Sequence, residues 1–408
     1  MKHKRWLSML LALVMVLVLL PTMTIADGTD SVNYIDADGN TTSVSATTLT
    51  ESTTDMNTGW YAVTGNITNN NRISVNGDVN LILCDGATLT APKGISANGG
   101  NSLTIWGQVN GTGALTINID DESDENLHYL AGIGGDGCTS SGTITINGGT
   151  VTAKGGKMAA GIGGGHEGDG TVVINGGTVT ATGGDWGAGI GGGQRSRSKG
   201  GYGAVTITGG NVTAKGGVKA AGIGGGFDYD ASYGSGSIIA NASVTISGGV
   251  INAAGDGNYG GVGIGGSGAT ISLNWTSGTD SITSTSYRGT VTLNKGFTDG
   301  ENSSLAGTVS DVSSLANKTL TPLYRTITYT HGAGSGTDYT EQVGQGASVN
   351  MPACNFTAPA VGYKFCGWKV TVGEQTSDTA QPGDAVTVAE NTVAEAQWTV
   401  AITCWADL

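Results

Sequence analysis

The chain has little charge, few aromatic residues and almost no proline. Charged residues make up 12% of its 408 residues, aromatic residues make up 6%, and there are 6 prolines. The scarcity of proline and the lack of a Gly-X-Y period exclude a collagen triple helix. After the first residues, no segment has the 3.6-residue apolar period of a helix, which argues against helical bundles and doubly wound folds.

Glycine is the residue that the chain has in excess. Its 73 glycines are phased, and the segments between them carry Val, Ile and Thr at alternate positions. Alternation of this kind is typical of half-buried strands. A disordered tract would instead have few apolar residues. The composition therefore predicts stacked β-structure.

One phrase occurs four times, as TITINGGTVTAKGG, VVINGGTVTATGG, VTITGGNVTAKGG and VTISGGVINAAGD. These copies lie among Gly-Ile-Gly-Gly groups whose isoleucines are 29, 28, 33 and 41 residues apart. The isoleucines are Ile133, Ile162, Ile190, Ile223 and Ile264. A repeat this short cannot bury its own apolar face, so neighbouring copies must stack on one another.

We predict a right-handed parallel β-helix in which each coil adds three short strands. In the TITI segment that starts at Thr143, alternation sends Ile144 and Ile146 inward and the threonines outward. We expect stacking to place Ile144 over Val173 and Ile146 over Ile174 or its neighbour, with glycines at the corners. About seven coils, each about 4.8 Å high, would make a rod roughly 35 Å long.

The first residues are typical of an export signal. Basic residues precede an apolar run from Leu10 to Leu20, and Ala26 is the small residue that a signal peptidase accepts. We predict a signal peptide over residues 1–26, a mature chain from Asp27 and an extracellular or cell-surface location. An uncleaved anchor is the alternative, although the run is short for a bilayer span.

The charge of the chain limits its partners. The formal net charge is -14, and it becomes -17 once Lys2, Lys4 and Arg5 are removed with the signal peptide. Nucleic acids and anionic membranes bind to basic patches, so this acidity argues against both. No later stretch is long and apolar enough to be predicted as a membrane span.

A second unit begins near Ile327. Its segments ITYTHGAGSG, VNMPACNF, GYKFCGW and AQW follow one another in the order of the internalin B-repeat, also called the Listeria-Bacteroides repeat, which this unit resembles. The resemblance implies a small β-grasp-like domain of cell-surface and adhesive proteins, with a core that includes Tyr363, Phe365, Trp368 and Trp398. The glycine-rich part is similar to exported bacterial proteins that pair such coils with this module.

The predicted domain organisation follows from these patterns. Residues 27–299 form the β-helix, and residues 300–325 form a linker or cap that covers its last coil. Residues 326–400 form the B-repeat-like domain, and residues 401–408 form a tail.

Inserts that break the repeat after Gly193 and Gly226 are the candidate binding site. Insertions at one repeat position project from the same edge of a solenoid, and loops carry function more often than the scaffold does. Aromatic faces and carboxylates in these loops suit stacking on sugar rings and bonding to their hydroxyls. The candidate residues are Trp186, Tyr202, Phe227, Asp228, Tyr229, Asp230 and Tyr233, with Tyr259 nearby. The alternative is that these aromatics merely cap the coil edge.

Signs of catalysis and of cofactors are weak. Two GxGxxG matches, from Gly132 and from Gly163, do not open a helix, so they do not indicate dinucleotide binding. The acidic run from Asp120 to Glu125 has only His128 as a basic companion, and we expect it to be a solvated loop. Paired carboxylates of the kind that glycoside hydrolysis needs do not accumulate along the copies. We predict no cofactor, and a single stray calcium site is the alternative.

Five cysteines occur, at positions 84, 138, 354, 366 and 404. An odd number in an exported chain leaves at least one outside intramolecular disulfides. No CxxC spacing indicates zinc, and we expect small buried thiols.

The sequence as a whole predicts a secreted or surface-associated scaffold without catalysis that adheres to a polysaccharide or a host or cell-surface glycan. A polysaccharide lyase or glycoside hydrolase built on a β-helix is one alternative. A structural spacer that presents the C-terminal module is another. Oligomeric state and ligand identity do not follow from these patterns.

Overall fold

The structure, a computed structural model, describes residues 29–119, 124–196, 200–229, 239–257, 259–300 and 304–401. Within these ranges the chain forms strands, turns and short 3₁₀ helices, and it has no α-helix. No helix of the described part is long and apolar enough to cross a membrane. Parallel pairing dominates the large sheet assembly, so the predicted all-β parallel β-helix is confirmed.

The described part begins with an antiparallel hairpin of β1 (Thr29–Ile35) and β2 (Thr41–Thr48), and β2 then pairs in parallel with β3 (Asp55–Val63). From β3 onward, three ladders of parallel strands form the three faces of the β-helix. The first face contains β3 (Asp55–Val63), β5 (Ile73–Leu83), β8 (Ser102–Gly107), β11 (Thr143–Ile146), β14 (Gly170–Ile174), β17 (Gly203–Ile207), β20 (Ala242–Ile246), β22 (Val262–Leu273) and β24 (Tyr287–Thr298).

The second and third faces follow the first within each coil. The second face contains β4 (Ile67–Thr68), β6 (Thr88–Thr90), β9 (Ala114–Asn118), β12 (Thr150–Lys154), β15 (Thr178–Thr182), β18 (Asn211–Lys215), β21 (Val250–Ala254) and β23 (Ser281–Ser284). The third face contains β7 (Ile95–Ser96), β10 (Ile133–Gly134), β13 (Ile162–Gly163), β16 (Ile190–Gly191) and β19 (Ala221–Gly224), and the first residues of β5, β22 and β24 continue it. Each repeat therefore adds three short strands, as predicted.

Buried aliphatic side chains stack in register through the coils. Ile144 pairs with Val172 and Ile146 pairs with Ile174, and all four side chains are buried. The prediction that Ile144 lies over Val173 was therefore wrong by one residue. Inward and outward positions alternate along a strand, so a slip of one residue would move Val173 from its half-buried outer position into the core.

The third face turns sharply at a glycine in most coils. Ile162 pairs with Ile133 on one side and Ile190 on the other, and these isoleucines are fully buried. Gly163 follows with a φ of 133°, and a methyl group added there would overlap the carbonyl oxygen of Gly191 in the next coil. Only glycine tolerates both the positive φ and the close carbonyl oxygen. It recurs at this position in five successive coils, as Gly134, Gly163, Gly191, Gly224 and Gly265.

The N-terminal hairpin covers the outer side of the first coils. Ala62 and Ile82 point outward from the first face, yet both are buried, because Val32 and Ala46 of the hairpin pack on them. Three rings extend this contact: Tyr34 lies 4.7 Å from Trp60 and 5.0 Å from Trp106, between ring centres. The hairpin therefore shields apolar surface at the start of the stack.

At the other end the chain reverses direction. Strands β25 (Leu305–Thr308) and β26 (Thr319–Pro322) pair antiparallel with β24, and a short 3₁₀ helix lies between them at Val312–Leu315. Leu315 and Leu320 are buried against the last coil. This segment closes the open end of the hydrophobic core.

A tryptophan joins the last coils to the unit that follows. Trp275 is buried, and its Nε1 donates to the carbonyl oxygen of Gly296 at 2.9 Å. Its ring lies 5.6 Å from the ring of Tyr324 and packs on Gly344, both of which belong to the second unit. Because Trp275 is held from both sides, it fixes this joint.

The second unit is a mixed five-stranded sheet with a separate two-stranded sheet. Its strands are β27 (Tyr324–Thr330), β28 (Tyr339–Gly344), β29 (Ala347–Asn350), β30 (Tyr363–Val372), β31 (Gln375–Ala380), β32 (Ala385–Val388) and β33 (Thr392–Val400). The large sheet has the order β28-β27-β33-β30-β31. Strands β27 and β33 pair in parallel, and the other neighbouring strands pair antiparallel. Strands β29 and β32 form the small sheet.

The core of this unit contains most of the predicted aromatics. Trp368 is fully buried, and Phe365 and Trp398 pack against the core while staying half-buried. Tyr363 is 42% exposed, so its predicted place in the core was wrong. It is the first residue of β30 and lies opposite the exposed Val400, beyond the end of the core.

A β-bulge allows Phe365 and Trp368 to share one side of β30. An odd separation would place them on opposite faces, but the pairing with β33 shifts between Phe365 and Gly367. Their ring centres are 5.2 Å apart as a result.

The cysteines are less buried than predicted. Cys84, Cys354 and Cys366 are half-buried, whereas Cys138 is exposed in a turn with a φ of 61°. The expectation of buried thiols was therefore wrong for Cys138. Burial, assisted by the charge of Asp85, raises the pKa of Cys84 to about 11. Cys404 lies outside the described residues.

Substitution at a corner glycine tests this account of the coil. Gly163→Ala should destabilise the fold by several kcal/mol, because the new methyl group meets the backbone of the next coil. Gly65→Ala is a matched control, since Gly65 has open space around it, and it should change stability by less than about 0.5 kcal/mol. Urea unfolding followed by circular dichroism measures both, and equal effects would contradict the corner role.

Candidate binding surface

Turns on both sides of the third face meet here, and backbone hydrogen bonds join them from coil to coil. The Trp186 amide donates to the carbonyl oxygen of Lys157 at 3.0 Å, and the Phe227 amide donates to that of Trp186 at 2.9 Å. The Arg195 amide donates to the carbonyl oxygen of Phe227 at 2.7 Å, and the Tyr229 amide donates to that of Arg195 at 3.0 Å. The bases of these irregular loops therefore continue the ladder pattern of the scaffold.

Three rings on these turns form a row that we call the aromatic strip: Trp186, Phe227 and Tyr229. Ring centres are 6.3 Å apart between Trp186 and Phe227, and also 6.3 Å apart between Phe227 and Tyr229. Phe227 is buried, Trp186 is half-buried, and Tyr229 is 39% exposed. Phe227 thus supports the strip from below, while its two neighbours present surface to solvent.

Cations lie against the strip. Lys157 Nζ is 5.9 Å from the ring centre of Trp186, and Lys219 Nζ is 5.1 Å from that of Phe227. A cation at this distance is attracted to the negative face of the ring. These contacts hold positive charge at one edge of an otherwise acidic protein.

Asp228 has a positioning role in the structure. Its carboxylate is buried and accepts a hydrogen bond from Arg195 Nη1 at 3.0 Å. This ion pair links the loop that carries Arg195 to the loop that carries Phe227 and Tyr229. Asp228 therefore orders the surface, and Arg195 is the charged group of the pair that reaches solvent.

The remaining predicted residues are dispersed. Tyr202 is half-buried, and its amide donates to Asp169 Oδ1 at 2.9 Å. Tyr259 is 57% exposed. Asp230 and Tyr233 lie outside the described residues. The structure thus gathers Trp186, Phe227, Asp228 and Tyr229 in one place and leaves Tyr202 and Tyr259 without a ring contact to the strip among the described residues.

Sequence reasoning missed the basic members of this surface. Lys157 and Lys219 lie in the turns of the neighbouring coils that are equivalent to the turn of Trp186, just before the Gly-Ile group. Aligning the copies on that group reveals this. It also missed a ring pair on the same side of the coils, in which Tyr129 lies 5.2 Å from His166.

A separate polar network ties three coils together. Arg72 Nε donates to Asp136 Oδ1 at 2.8 Å, and its Nη1 donates to two backbone carbonyl oxygens. The other oxygen of Asp136 accepts from Ser96 Oγ at 2.7 Å and from Asn98 Nδ2 at 2.9 Å. Because side chains of other coils donate to both of its carboxylate oxygens, Asp136 links the coils structurally.

The pKa values of this pair reflect burial and charge. Burial acts to raise the pKa of Asp136, but the charge of Arg72 and the hydrogen bonds from Asn98, Ser96 and Arg72 together hold it below its usual range. Burial lowers the pKa of Arg72, and the attraction of Asp136 opposes that effect.

No cluster of metal ligands marks the described part of the aromatic strip. Among the described residues, no group of three or more His, Cys, Asp or Glu could hold a metal ion.

The described part of the acidic run near Asp120 caps and begins a 3₁₀ helix, Glu125–Tyr129, rather than forming an open loop. A cavity of about 150 Å³ lies at the N-terminal hairpin, lined in part by Tyr34 and Gln108.

The comparisons with known proteins agree with this architecture. A family model described as a beta helix repeat matches residues 144–166, 172–194 and 205–227. Each match starts at a buried residue of the first face and ends in the turn after the third face, so these segments are β-helix repeats. Neither the comparison with curated proteins nor that with solved structures found a match.

The pH dependence of stability tests the role of the Arg72–Asp136 ion pair. The folded pKa of Asp136 lies below its unfolded value of about 3.9, so its ionisation stabilises the fold above that pH and the effect is lost as pH falls through the folded pKa. Asp136→Asn should therefore cost on the order of 2 kcal/mol at pH 7 and progressively less below about pH 4. Thermal melts across this range measure the difference.

Asp38→Asn, which changes an exposed carboxylate in the hairpin turn, is the control. It should alter stability by less than about 0.5 kcal/mol at any pH in the range. If the loss of stability caused by Asp136→Asn stayed constant down to pH 2, the ionic role of Asp136 would be contradicted.

Proposed function

We propose that this chain is a non-catalytic scaffold that binds glycans outside the cell. The aromatic strip carries the proposal, because it sets the exposed surfaces of Trp186 and Tyr229 along one edge of a regular rod. Aromatic faces bind the apolar faces of sugar rings, while neighbouring polar groups bind their hydroxyls. The export signal predicted over residues 1–26 supports the location.

The strip is preorganised for such a ligand. Phe227 is buried between its neighbours, and the backbone hydrogen bonds of Trp186 and Tyr229 continue the ladder of the coils. Rigid rings lose little conformational freedom on binding, so more of the contact energy remains as affinity. Lys157, Lys219 and Arg195 supply hydrogen-bond donors beside the rings and favour a glycan that has acceptor or acidic groups.

An open row of rings suits a chain more than a single sugar. A polymer can lie across several rings at once, and several weak contacts then add to a useful affinity. Adhesion to a polysaccharide or to a cell-surface glycan is the activity that this arrangement supports best. The partner is therefore proposed as an extended glycan.

Alanine substitutions in the strip test the proposal. Trp186→Ala and Tyr229→Ala should each weaken polysaccharide binding about tenfold, because each removes a ring that presents surface at the contact. Affinity electrophoresis of the full chain against neutral and acidic polysaccharides measures this change. Tyr259→Ala is the control, since it removes an exposed ring outside the strip, and its binding should equal that of the unchanged protein.

Other outcomes would replace the proposal. Release of reducing ends or of unsaturated uronates from the same polysaccharides would indicate an enzyme. A protein that binds none of them and cleaves none would instead be a structural spacer for the C-terminal unit.

A further inference from the structure

An open cleft of about 480 Å³ lies where the closing segment of the β-helix meets the second unit. Its lining includes Ser304, Arg325, Gln345, Glu390 and Asn391. The volume falls within the range of sites that hold small ligands. The aromatic strip contributes none of the residues that line it.

Arg325 is the unusual member of this lining. On β27, Arg325 lies on the same face as Ile327 and Tyr329, which are buried in the core. It therefore occupies a core-side position at the end of the strand. Its Nε is buried, and the described residues provide no hydrogen bond or ion pair to its guanidinium. A partly buried charge without a partner is unfavourable, and an anion that enters the cleft would offset that cost.

The groups around Arg325 are polar and partly free to bind. Gln345 Oε1 accepts from Ser304 Oγ at 2.9 Å, which leaves the Gln345 amide nitrogen as a donor. Asn391 Oδ1 accepts from the Thr326 amide at 3.0 Å, which leaves its nitrogen as a second donor. Glu390 is exposed and provides an acceptor. The cleft therefore offers one cation, two amide donors and one carboxylate.

We propose that this cleft binds the carboxylate of an acidic sugar, a uronate, through Arg325. The planar guanidinium matches a carboxylate in a two-bond arrangement. Glu390 and the two amides would bind the ring hydroxyls, which a simple inorganic anion lacks. Because Glu390 repels negative charge, a ligand with a single carboxylate and several hydroxyls fits better than a multiply charged phosphate.

Titration of the full chain with D-galacturonate, followed by NMR or calorimetry, tests the site. We expect weak binding, with a dissociation constant on the order of millimolar, and at least tenfold weaker binding by D-galactose. Arg325→Gln should lose at least tenfold in affinity, and Arg325→Lys should lose several-fold, because it keeps the charge but not the paired geometry. Lys364→Gln, an exposed cation elsewhere on the same unit, should bind as the unchanged protein does.

Several results would overturn the site. These are equal binding of galactose and galacturonate, equal or tighter binding of inorganic phosphate or of alanine, and undiminished binding by Arg325→Gln. Thermal melts check that the variants fold, and Arg325→Lys carries the test if Arg325→Gln does not. Neutral polysaccharides lack the carboxylate that Arg325 would bind, so their binding reports on the aromatic strip alone. Loss of galacturonate binding with neutral polysaccharide binding kept would overturn this proposal and leave the proposed function standing.

Discussion

The in-register stacking of buried aliphatic side chains is the constraint on which the structure depends. Every coil must present its isoleucines and valines at the same inward positions as the coils on either side, as Ile133, Ile162 and Ile190 do. A strand period of two makes this register strict, because a slip of one residue would turn the core outward. Glycines at the corners then let adjacent backbones approach without side chains between them.

The same constraint explains where variation is tolerated. Turns on either side of the third face can change in sequence, provided that their bases keep the backbone hydrogen bonds of the stack. Trp186, Phe227 and Tyr229 come from such turns, and the scaffold aligns them because it aligns all equivalent positions. Buried Asp228 and its partner Arg195 add an ionic tie between two loops whose sequences have little in common.

Both ends of a stack expose strand edges and apolar core, and this chain covers each in a different way. At the start, β2 of the hairpin pairs with part of β3, and Val32 and Ala46 cover the outward-facing Ala62 and Ile82. At the end, β25 and β26 reverse direction against the last coil, and Trp275 connects that coil to the second unit. Covered edges prevent the pairing of one solenoid with another.

The sequence alone determined the class of fold and the inward alternation within a copy, as for Ile144 and Ile146, because phased glycine and alternating Val, Ile and Thr report a local period that every copy repeats. It did not determine the pairing of Ile144, the bulge that places Phe365 beside Trp368, or the exposure of Tyr363, since these depend on which strands meet. It identified aromatic inserts, yet only the tertiary structure decided that Phe227 and Asp228 are buried and that Lys157 and Lys219 join them. The physical reason is distance along the chain: alternation acts between neighbours, whereas this surface is assembled from turns of successive coils.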